Sequence, residues 1–367
     1  MAERLLCILS NMNAGGAETF LMKLYRNIDR DKYQLDFCLN NKDKNFYEDE
    51  IANYGGRIYR IPSKSESLKE FKQQLTETVK NNNYKYVLRI TANAAGLLDL
   101  KVAKKAGAQV CIARSSNSNA DGGIKARILH RIGQLLYLRY VDKKIAPSDL
   151  AAIYTFGKKS YEKGEVYILH NALNLDEYEF RPEYRNQVRD EFCIPEDAKV
   201  IGHIGRFMKQ KNHEKLISIF HTICQYNDNV YLLLVGNGEL EEYIRDKVSV
   251  LGIMDKVVFA GVRSDIPRVL SSMDLFVMPS LYEGMPNTVI EAQANGLHCV
   301  VSSEITREVN ITGRVSFIPL DSSDLEWSTV INSHLSEDRE NVRDKFISNG
   351  YNMKEVAKDF ERLVFGE

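Results

Sequence analysis

Short apolar runs alternate with amphipathic stretches along nearly the whole chain. Six aliphatic and β-branched runs in the first half have the length and composition of buried strands: 4–9, 34–39, 57–61, 86–90, 109–113 and 144–146. Four intervening stretches carry apolar residues at helical spacing. One follows the first strand and runs through Phe20, Leu21, Leu24 and Ile28, and the others are 65–81, 94–106 and 123–139. The alternation predicts βαβ units and a parallel sheet with helices packed on its faces.

A second series of the same kind follows a crossing segment near 165–175. Its strands are predicted at 199–204, 230–235, 256–260, 274–278 and 298–302, with helices from about 213 and at 287–294. The last stretch, 353–364, is a single amphipathic helix. A chain of 367 residues favours two domains. We expect an α/β protein of two Rossmann-like halves, with a cleft between the carboxyl ends of their parallel sheets.

The segment 279–296 is the most informative part of the second half. Pro286 stands near the first turn of the predicted helix and Gly296 just past its end. Glu283 lies in the loop and Glu291 on the helix. Strand ends and helix N-termini bind phosphates, so an anion-binding crevice is predicted along Gly284, Met285, Pro286, Asn287 and Thr288. The two acids suit the hydroxyls of a sugar or a ribose. A plain strand–loop–helix unit with two solvated acids explains this segment alone equally well.

Two cations share the loop that follows strand 199–204. A guanidinium at Arg206 and an ammonium at Lys211, close to a helix N-terminus, match the charge of a diphosphate and of a leaving phosphate. Surface charge pairing is the commoner reason for two such residues. The diphosphate interpretation gains weight because both loops follow strands of the same half. Gly15 and Gly16, after the first strand, allow backbone to approach a ligand, although Gly-Gly is more often only a turn.

Composition narrows the class of protein without naming a function. Hydrophobic content of 44% and charged content of 27% are typical of soluble globular proteins, and no apolar run is long enough to span a membrane. Six scattered cysteines without a C-x-x-C pair indicate buried reduced thiols and a cytoplasmic location. G-x-G-x-x-G after the first strand and Asp-x-Asp near a strand end are both missing. We therefore expect a site without metal or cofactor, and no nucleic-acid partner.

Charge is divided unevenly between the halves. Residues 1–170 carry a net charge of +10 and residues 171–367 a net charge of −11. A basic first half suits an anionic partner, such as a membrane surface or a phosphorylated acceptor, or simply matches the acidic half.

The stretch 122–144 is the part of the first half that an anionic membrane surface could contact. Its apolar positions are Ile124, Ile128, Ile132, Leu135 and Leu136, and its cations are Lys125, Arg127, Arg131 and Arg139. Such a helix can lie on an anionic bilayer or can be a core helix with a solvated charged face. From the sequence we favour the core helix.

Four segments in order resemble one known family. They read NAGGAET, GRFMKQKNH, VGNGEL and PSLYEGMPNTVIEAQANG, and together they resemble glycosyltransferase family 4, of GT-B fold, especially bacterial exopolysaccharide and capsule enzymes. The resemblance implies an acceptor-binding domain at 1–170, a nucleotide-sugar-binding domain at 171–350, and a helix at 351–367 that crosses back to the first domain.

The resemblance also implies an activity and a location. Relatives are retaining, metal-independent hexosyltransferases that use nucleotide-diphosphate sugars. We expect a UDP-sugar donor and a lipid-linked or saccharide acceptor, in exopolysaccharide, capsule or O-antigen synthesis. The protein would be cytoplasmic, in peripheral contact with the inner face of the plasma membrane.

The family's residue roles carry over to matching positions. Arg206 and Lys211 would hold the donor diphosphate, Glu283 the transferred sugar, and Glu291 the ribose hydroxyls. The backbone of Gly284–Thr288 would contact sugar and phosphate. The remaining matches are Val262 and Arg263 for the base, and Gly15 and Gly16 for the donor phosphate and the acceptor.

Two departures from the family pattern concern the acceptor side. Arg114, in the stretch 113–117, stands where relatives often have a histidine, and His170-Asn171-Ala172 replaces a common P-N-G. Two other functions therefore stay open. One is a nucleotide-sugar-binding subunit with weak catalysis, and the other is a UDP-sugar epimerase of the same fold.

Overall fold

The computed structural model describes residues 2–13, 15–116 and 123–366, without the side chain of Ile124. Ala14, Asn117 and Gly122, which entered the interpretation of the sequence, lie outside the described residues. The chain divides into two compact units. The first comprises Met1–Ala172 with Gly350–Glu367, and the second comprises Leu173–Asn349. These bounds fall within two residues of the sequence-based ones.

Every strand pair in both sheets of the described chain is parallel. The first unit contains β1 (Glu3–Leu9), β2 (Tyr33–Leu39), β3 (Ile58–Arg60), β4 (Tyr86–Thr91), β5 (Val110–Ser115), β6 (Lys143–Ala146) and β7 (Val166–Ile168). The second contains β8 (Lys199–Ile204), β9 (Val230–Val235), β10 (Val257–Phe259), β11 (Leu275–Met278), β12 (His298–Ser302) and β13 (Val315–Ile318).

Helices connect these strands. They are α1 (Gly16–Asn27), α2 (Glu48–Asn53), α3 (Leu68–Asn81), α4 (Leu98–Ala106), α5 (Gly123–Tyr137), α6 (Asp149–Phe156), α7 (Lys158–Glu162), α8 (Leu175–Tyr178), α9 (Pro182–Glu191), α10 (His213–Cys224), α11 (Glu241–Val250), α12 (Ile266–Ser272), α13 (Asn287–Ala294), α14 (Asp324–His334), α15 (Arg343–Ser348) and α16 (Met353–Phe365). Short 3₁₀ turns occur at Ala94–Leu97, Leu138–Tyr140, Lys209–Lys211, Met254–Lys256 and Arg307–Val309.

Strand order explains where ligands can bind in each unit. The first sheet runs β3-β2-β1-β4-β5-β6-β7 and the second β10-β9-β8-β11-β12-β13. In each sheet the chain adds strands outward in one direction from its first strand, β1 or β8, and then crosses to the other side of that strand. The strand order therefore reverses between β1 and β4 and between β8 and β11. At such a switch point the two connections leave toward opposite faces and open a crevice at the carboxyl ends of the strands.

The last helix belongs to the first unit. Its apolar side chains Met353, Val356, Phe360 and Val364 recur at helical spacing and are buried in one cluster with those of β1, β2 and α1. The ring of Phe365 stacks on Tyr33 with centroids 4.1 Å apart. The helix thus covers one face of the first sheet, which would otherwise expose its apolar surface to water.

Most predicted strands are present within two residues of their predicted ends. The sequence pattern does not predict β7 or β13, and it places the residues of β7 in the crossing segment between the two halves. Both are three- or four-residue strands at sheet edges. Such strands carry too few apolar residues for a periodic signal.

The structure also bears on the expectations that the cysteines are buried and that no segment spans a membrane. Cys7, Cys38, Cys111 and Cys299 are buried free thiols, but Cys193 is exposed. Within the described residues, no helix has both the length and the apolar character that crossing a bilayer requires.

The core-helix interpretation of α5 is wrong. Five of its large apolar side chains are exposed by 41–82%: Ile128, Leu129, Ile132, Leu135 and Leu136. The helix packs on the first unit through its other face.

Candidate active site

The loops after β8 and β11 lie side by side at the switch point of the second sheet. Three hydrogen bonds join them. The Leu281 amide donates to the Gln210 carbonyl at 2.8 Å, Gln210 Nε2 to the Tyr282 carbonyl at 2.9 Å, and Asn212 Nδ2 to the Pro279 carbonyl at 3.1 Å. Asn212 adopts the left-handed conformation that asparagine tolerates, with φ 54°. Sequence reasoning missed Gln210 and Asn212, whose contacts depend on strand order.

This arrangement brings Lys211 against Glu283. Lys211 Nζ lies 2.7 Å from Glu283 Oε1, and the two side chains are 17% and 12% exposed. An ammonium carries three donors, so the carboxylate leaves two of them for another acceptor. The pair therefore places a lysine with unused donors at the mouth of the β8–β11 crevice.

Arg206 lies in the same loop but behaves differently. Its side chain is exposed, and within the described chain its guanidinium forms no hydrogen bond or ion pair. Its five N–H donors and its charge are open to an anionic ligand.

The N-terminus of α13 faces the same strand ends. Pro286 is the residue before the helix; no side chain caps its first turn, and that turn contains no acid. The positive dipole end of the helix is therefore not offset by a capping side chain or by an acid in its first turn. Pro286 itself is buried, whereas the neighbouring residues of the crevice are half-buried: Gly284, Met285, Asn287 and Thr288.

Glu291 is held by a residue that the sequence did not suggest. Tyr178, at the end of α8, is 6% exposed and hydrogen-bonds to Glu291. Burial, followed by the charge of Glu291, raises the pKa of Tyr178 well above its ordinary value, so the phenol stays protonated and donates. The bond fixes the direction of the carboxylate on α13.

The proposed base-binding residues lie further along the sheet. Val262 and Arg263 follow β10, which is separated from β8 by β9. Val262 is 69% exposed. Arg263 is paired with Glu191 and, at 2.8 Å, with Asp265, and these partners raise the pKa of its guanidinium. The guanidinium of Arg263 is therefore neutralised by its own unit, which leaves the backbone and Val262 as the exposed surface there.

Two buried histidines lie beneath the cations. His213, on α10, is 2% exposed, and its ring packs edge-on against that of His203 with centroids 4.8 Å apart. Burial, and then the charge of Lys211, lowers the pKa of His213 to about 4. Burial lowers the pKa of His203 well below its ordinary value. Both rings are therefore neutral at pH 7 and do not add repulsion to the cationic loop.

The first unit has its own polar cavity at the β1–β4 switch point. It measures about 400 Å³, and its polar lining comprises Ser10, Glu18, Lys64, Arg89, Thr91, Asn93 and Ser116. Two of these cations share the fully buried carboxylate of Asp99, with Arg89 Nε 3.1 Å from it and Lys64 also in contact. Gly15 precedes α1 and Gly16 begins it, both exposed, just before the cavity residue Glu18.

Arg114 does not lie in this cavity lining. It is 1% exposed, its Nη2 donates to Asn171 Oδ1 at 2.7 Å, and its guanidinium lies 3.6 Å from the Phe20 ring centroid. Burial lowers its pKa to about 9. The residue that replaces the family's histidine is thus a packed part of the core. Its partner Asn171 comes from the other departing segment, in which His170 stacks on Tyr351.

One cluster of metal-ligand side chains lies away from these loops. His298, His334 and Glu337 have ligand atoms within 4.8 Å of one another. His298 opens β12, so the cluster is at the amino end of the strands. Arg314 Nη2 already lies 3.1 Å from the Glu337 carboxylate, and the two imidazole rings stack. This cluster is not part of the β8–β11 crevice.

Comparison with known proteins identifies the family. The family described as "Glycosyl transferases group 1" matches residues 185–353, which include β8 to β13 and both loops. EpsF of Bacillus subtilis (strain 168), named as a glycosyltransferase, is 31% identical over 334 residues, covering 90% of this chain and 87% of EpsF. The chain belongs to the group 1 glycosyltransferases.

Other relatives of this glycosyltransferase match over shorter stretches. The Escherichia coli UDP-Gal:alpha-D-GlcNAc-diphosphoundecaprenol alpha-1,3-galactosyltransferase is 30% identical over 145 residues, 38% of this chain and 37% of that protein. Relatives named for Vi polysaccharide biosynthesis and lipopolysaccharide core biosynthesis also match this chain over short stretches.

Solved structures confirm the predicted GT-B fold. HepE of Anabaena in complex with UDP and glucose superposes with a TM-score of 0.72 at 17% identity, covering 97% of this chain and 94% of HepE. WaaG, a glycosyltransferase of lipopolysaccharide biosynthesis, gives 0.69 at 14% identity, covering 99% of this chain and 100% of WaaG. At these identities the likeness concerns the fold alone.

Proposed function

We propose that this glycosyltransferase transfers a hexose from a UDP-sugar to a lipid-linked or saccharide acceptor, with retention of configuration and without a metal. The product would be a repeat of an exopolysaccharide, capsule or O-antigen. The observation that carries the donor site is the Lys211–Glu283 pair beside the unpaired Arg206, at the β8–β11 switch point.

Charge and geometry support the diphosphate as the ligand. Arg206 and the two free donors of Lys211 supply positive charge and N–H groups, and the uncapped N-terminus of α13 adds backbone donors. Glu283, held by Lys211, would accept hydrogen bonds from hydroxyls of the transferred sugar. Glu291, oriented by Tyr178, would accept hydrogen bonds from the ribose.

The residues at the site suit a front-face mechanism. The bond between the anomeric carbon and the leaving phosphate oxygen breaks, and the acceptor oxygen bonds to the same face of that carbon. The acceptor proton passes to the leaving phosphate. Arg206 and Lys211 would stabilise the charge that develops on the phosphate, the role that a metal ion has at other sites.

One relative and one protein of the same fold support the donor and acceptor classes. The E. coli relative is named for transfer from UDP-Gal to a diphosphoundecaprenol-linked sugar, and HepE was solved with UDP and glucose. In the first unit, the cavity beside Gly15 and Gly16 would receive the acceptor, with Lys64 and Arg89 facing its anionic groups.

A panel of UDP- and GDP-sugars tests the proposal. We expect UDP release that depends on a lipid-linked saccharide, survives dialysis against EDTA, and yields a product with the donor's anomeric configuration by NMR. Tight UDP binding without turnover across the panel would favour the binding subunit. Conversion of UDP-N-acetylglucosamine to its epimer without an acceptor would favour the epimerase.

A further inference from the structure

Three side chains of the kinds that bind metals meet at the amino end of the second sheet. His298 opens β12, His334 is the last residue of α14, and Glu337 follows that helix. One ligand atom from each lies within 4.8 Å of the others. The transfer reaction proposed above uses none of them, since Lys211 and Glu283 lie at the carboxyl end of the strands.

The two imidazole rings share the same polar partners on both edges. His298 Nδ1 lies 3.2 Å from Glu337 Oε2, and His334 Nδ1 lies 2.5 Å from Glu337 Oε1. On the other edge, Ser316 Oγ lies 3.0 Å from His298 Nε2 and 3.3 Å from His334 Nε2. One carboxylate and one hydroxyl therefore bracket a stacked pair of rings, whose centroids are 3.6 Å apart.

The hydrogens of the neutral cluster cannot satisfy all of these contacts. A neutral imidazole carries one N–H, and Ser316 has one hydroxyl hydrogen. Ser316 can therefore donate to the Nε2 of only one ring, so the Nε2 of the other ring must carry its own hydrogen. The Nδ1 of that other ring is then a lone pair that faces the Glu337 carboxylate. Two acceptors in contact require a cation between them, which is either a proton or a metal ion.

The donor atoms suit Zn²⁺. Zinc accepts two imidazoles and one carboxylate as ligands, with water in the fourth position. Tetrahedral ligands about 2.1 Å from zinc lie about 3.4 Å apart, which is close to the 3.2 Å between His298 Nδ1 and Glu337. The rings are within 15° of parallel, so one must tilt until the two Nδ1 lone pairs converge. His334 can do so, because it is the more exposed ring and ends its helix.

Ser316 supplies the outer contact that metal-bound histidines usually have. A metal ion on both Nδ1 atoms places a hydrogen on both Nε2 atoms, and the two lone pairs of Ser316 Oγ can accept both. Such contacts fix the tautomer and the orientation of the ligand rings. Zinc would thus satisfy every contact that the neutral cluster leaves unsatisfied.

Arg314 is the cation that competes for Glu337. Its Nη2 lies 3.1 Å from Glu337 Oε2, but its Nη1 also lies 3.6 Å from Glu340 Oε2. The same Nη2 donates to the Asp338 carbonyl at 3.0 Å. With zinc on Glu337, Arg314 would keep a carboxylate and a carbonyl as partners. Metal binding therefore leaves no charge without a partner.

We propose that His298, His334 and Glu337 bind one Zn²⁺ ion. The ion would tie α14 to β12 and, through Ser316, to the outer strand β13. It would stabilise this edge of the second unit and take no part in sugar transfer. The site does not depend on the identity of the donor or the acceptor.

Zinc titration of the full-length protein, after EDTA treatment and dialysis, tests the proposal. Every protein carries Cys193→Ser, because the exposed thiol of Cys193 would itself bind zinc. Competition with a chromophoric chelator should show one Zn²⁺ per chain with a Kd below about 10 µM. At about 100 times the Kd, zinc should raise the thermal midpoint by about 5 °C.

Variants of the cluster locate the ion. His334→Gln and Glu337→Gln, both at partly exposed positions, should each weaken zinc binding at least about tenfold. His221→Gln on α10 is the matched control and should not change it. Co²⁺ in place of zinc should give the strong visible absorption of a tetrahedral ion, and His334→Gln should lose it.

UDP affinity separates this site from the donor site. It should be the same with and without zinc and in each cluster variant, whether or not the proposed transfer reaction is correct. Absence of saturable binding up to about 100 µM zinc would overturn the proposal and leave a shared proton in the cluster. Zinc binding of undiminished strength in both His334→Gln and Glu337→Gln would also overturn it, because the ion would then lie elsewhere.

Discussion

Arg206→Gln should weaken ligand binding at the site without changing the stability of the fold. The guanidinium is exposed and forms no hydrogen bond or ion pair with the other described residues, so its loss breaks no polar interaction of the free protein. Surface changes of this kind alter the free energy of unfolding by less than about 0.5 kcal/mol. Any effect on UDP binding can therefore be assigned to the ligand.

The size of the expected effect follows from charge-assisted hydrogen bonding. A hydrogen bond to a charged group contributes about 1.5–3 kcal/mol. Removing the contact between Arg206 and the diphosphate should thus weaken UDP binding by about 10- to 150-fold. Uridine lacks phosphate, and its affinity should not change.

Isothermal titration of UDP and uridine at fixed ionic strength measures both quantities. Lys209→Gln is the matched control, because Lys209 is an exposed cation in the same loop and tests whether net charge alone matters. The control should change UDP affinity less than about threefold, as expected for a screened surface charge. Wild-type affinity of Arg206→Gln for UDP, or an equal loss for uridine, would refute the assignment of this arginine to the diphosphate.

Three further predictions concern neighbouring residues. Lys211→Met should lower both UDP affinity and the free energy of unfolding, the latter by about 1–3 kcal/mol, because it strands a half-buried carboxylate; unchanged urea midpoints would contradict the role of the ion pair. Tyr178→Phe should weaken uridine binding about fivefold, since Glu291 loses its orienting hydrogen bond, and titration with uridine checks this. Because the pKa of His213 is lowered to about 4, the unfolded chain binds more protons than the folded chain below pH 6.5. Stability should therefore be complete above about pH 6.5 and fall toward pH 4, by about 2 kcal/mol at pH 5 from this residue. Urea unfolding at pH 7.5 and 5 should show a smaller drop in His213→Gln, and an equal drop would exclude this residue as the cause.

The sequence by itself determined the local elements and the chemistry at their ends. Apolar runs and helical spacing predict the strands and helices because burial follows those periods. The same pattern identifies the loops with Arg206, Lys211 and Glu283, since ligand-binding residues follow strand ends in parallel sheets. It also places Glu291 on the helix that follows the Glu283 loop.

Only the tertiary structure decided which of these loops and side chains come into contact. Lys211 and Glu283 are 72 residues apart and touch because β11 pairs with β8 rather than with its predecessor β10. Strand order results from the packing of the whole sheet and leaves no local signature. The burial of Arg114 has the same origin, as does the contact between Tyr178 and Glu291.

The orientation of helix α5 is the clearest example of a feature that the sequence alone could not predict. Helical spacing revealed an apolar side but not which side packs, and an apolar side ordinarily faces the core. The close approach at Gly133 and the hydrogen bonds of His130 fix the opposite orientation. These contacts involve backbone from Ala94 and Tyr154, which lie far from α5 in sequence. Periodicity along one segment therefore cannot predict them, because they exist only once the first unit has folded.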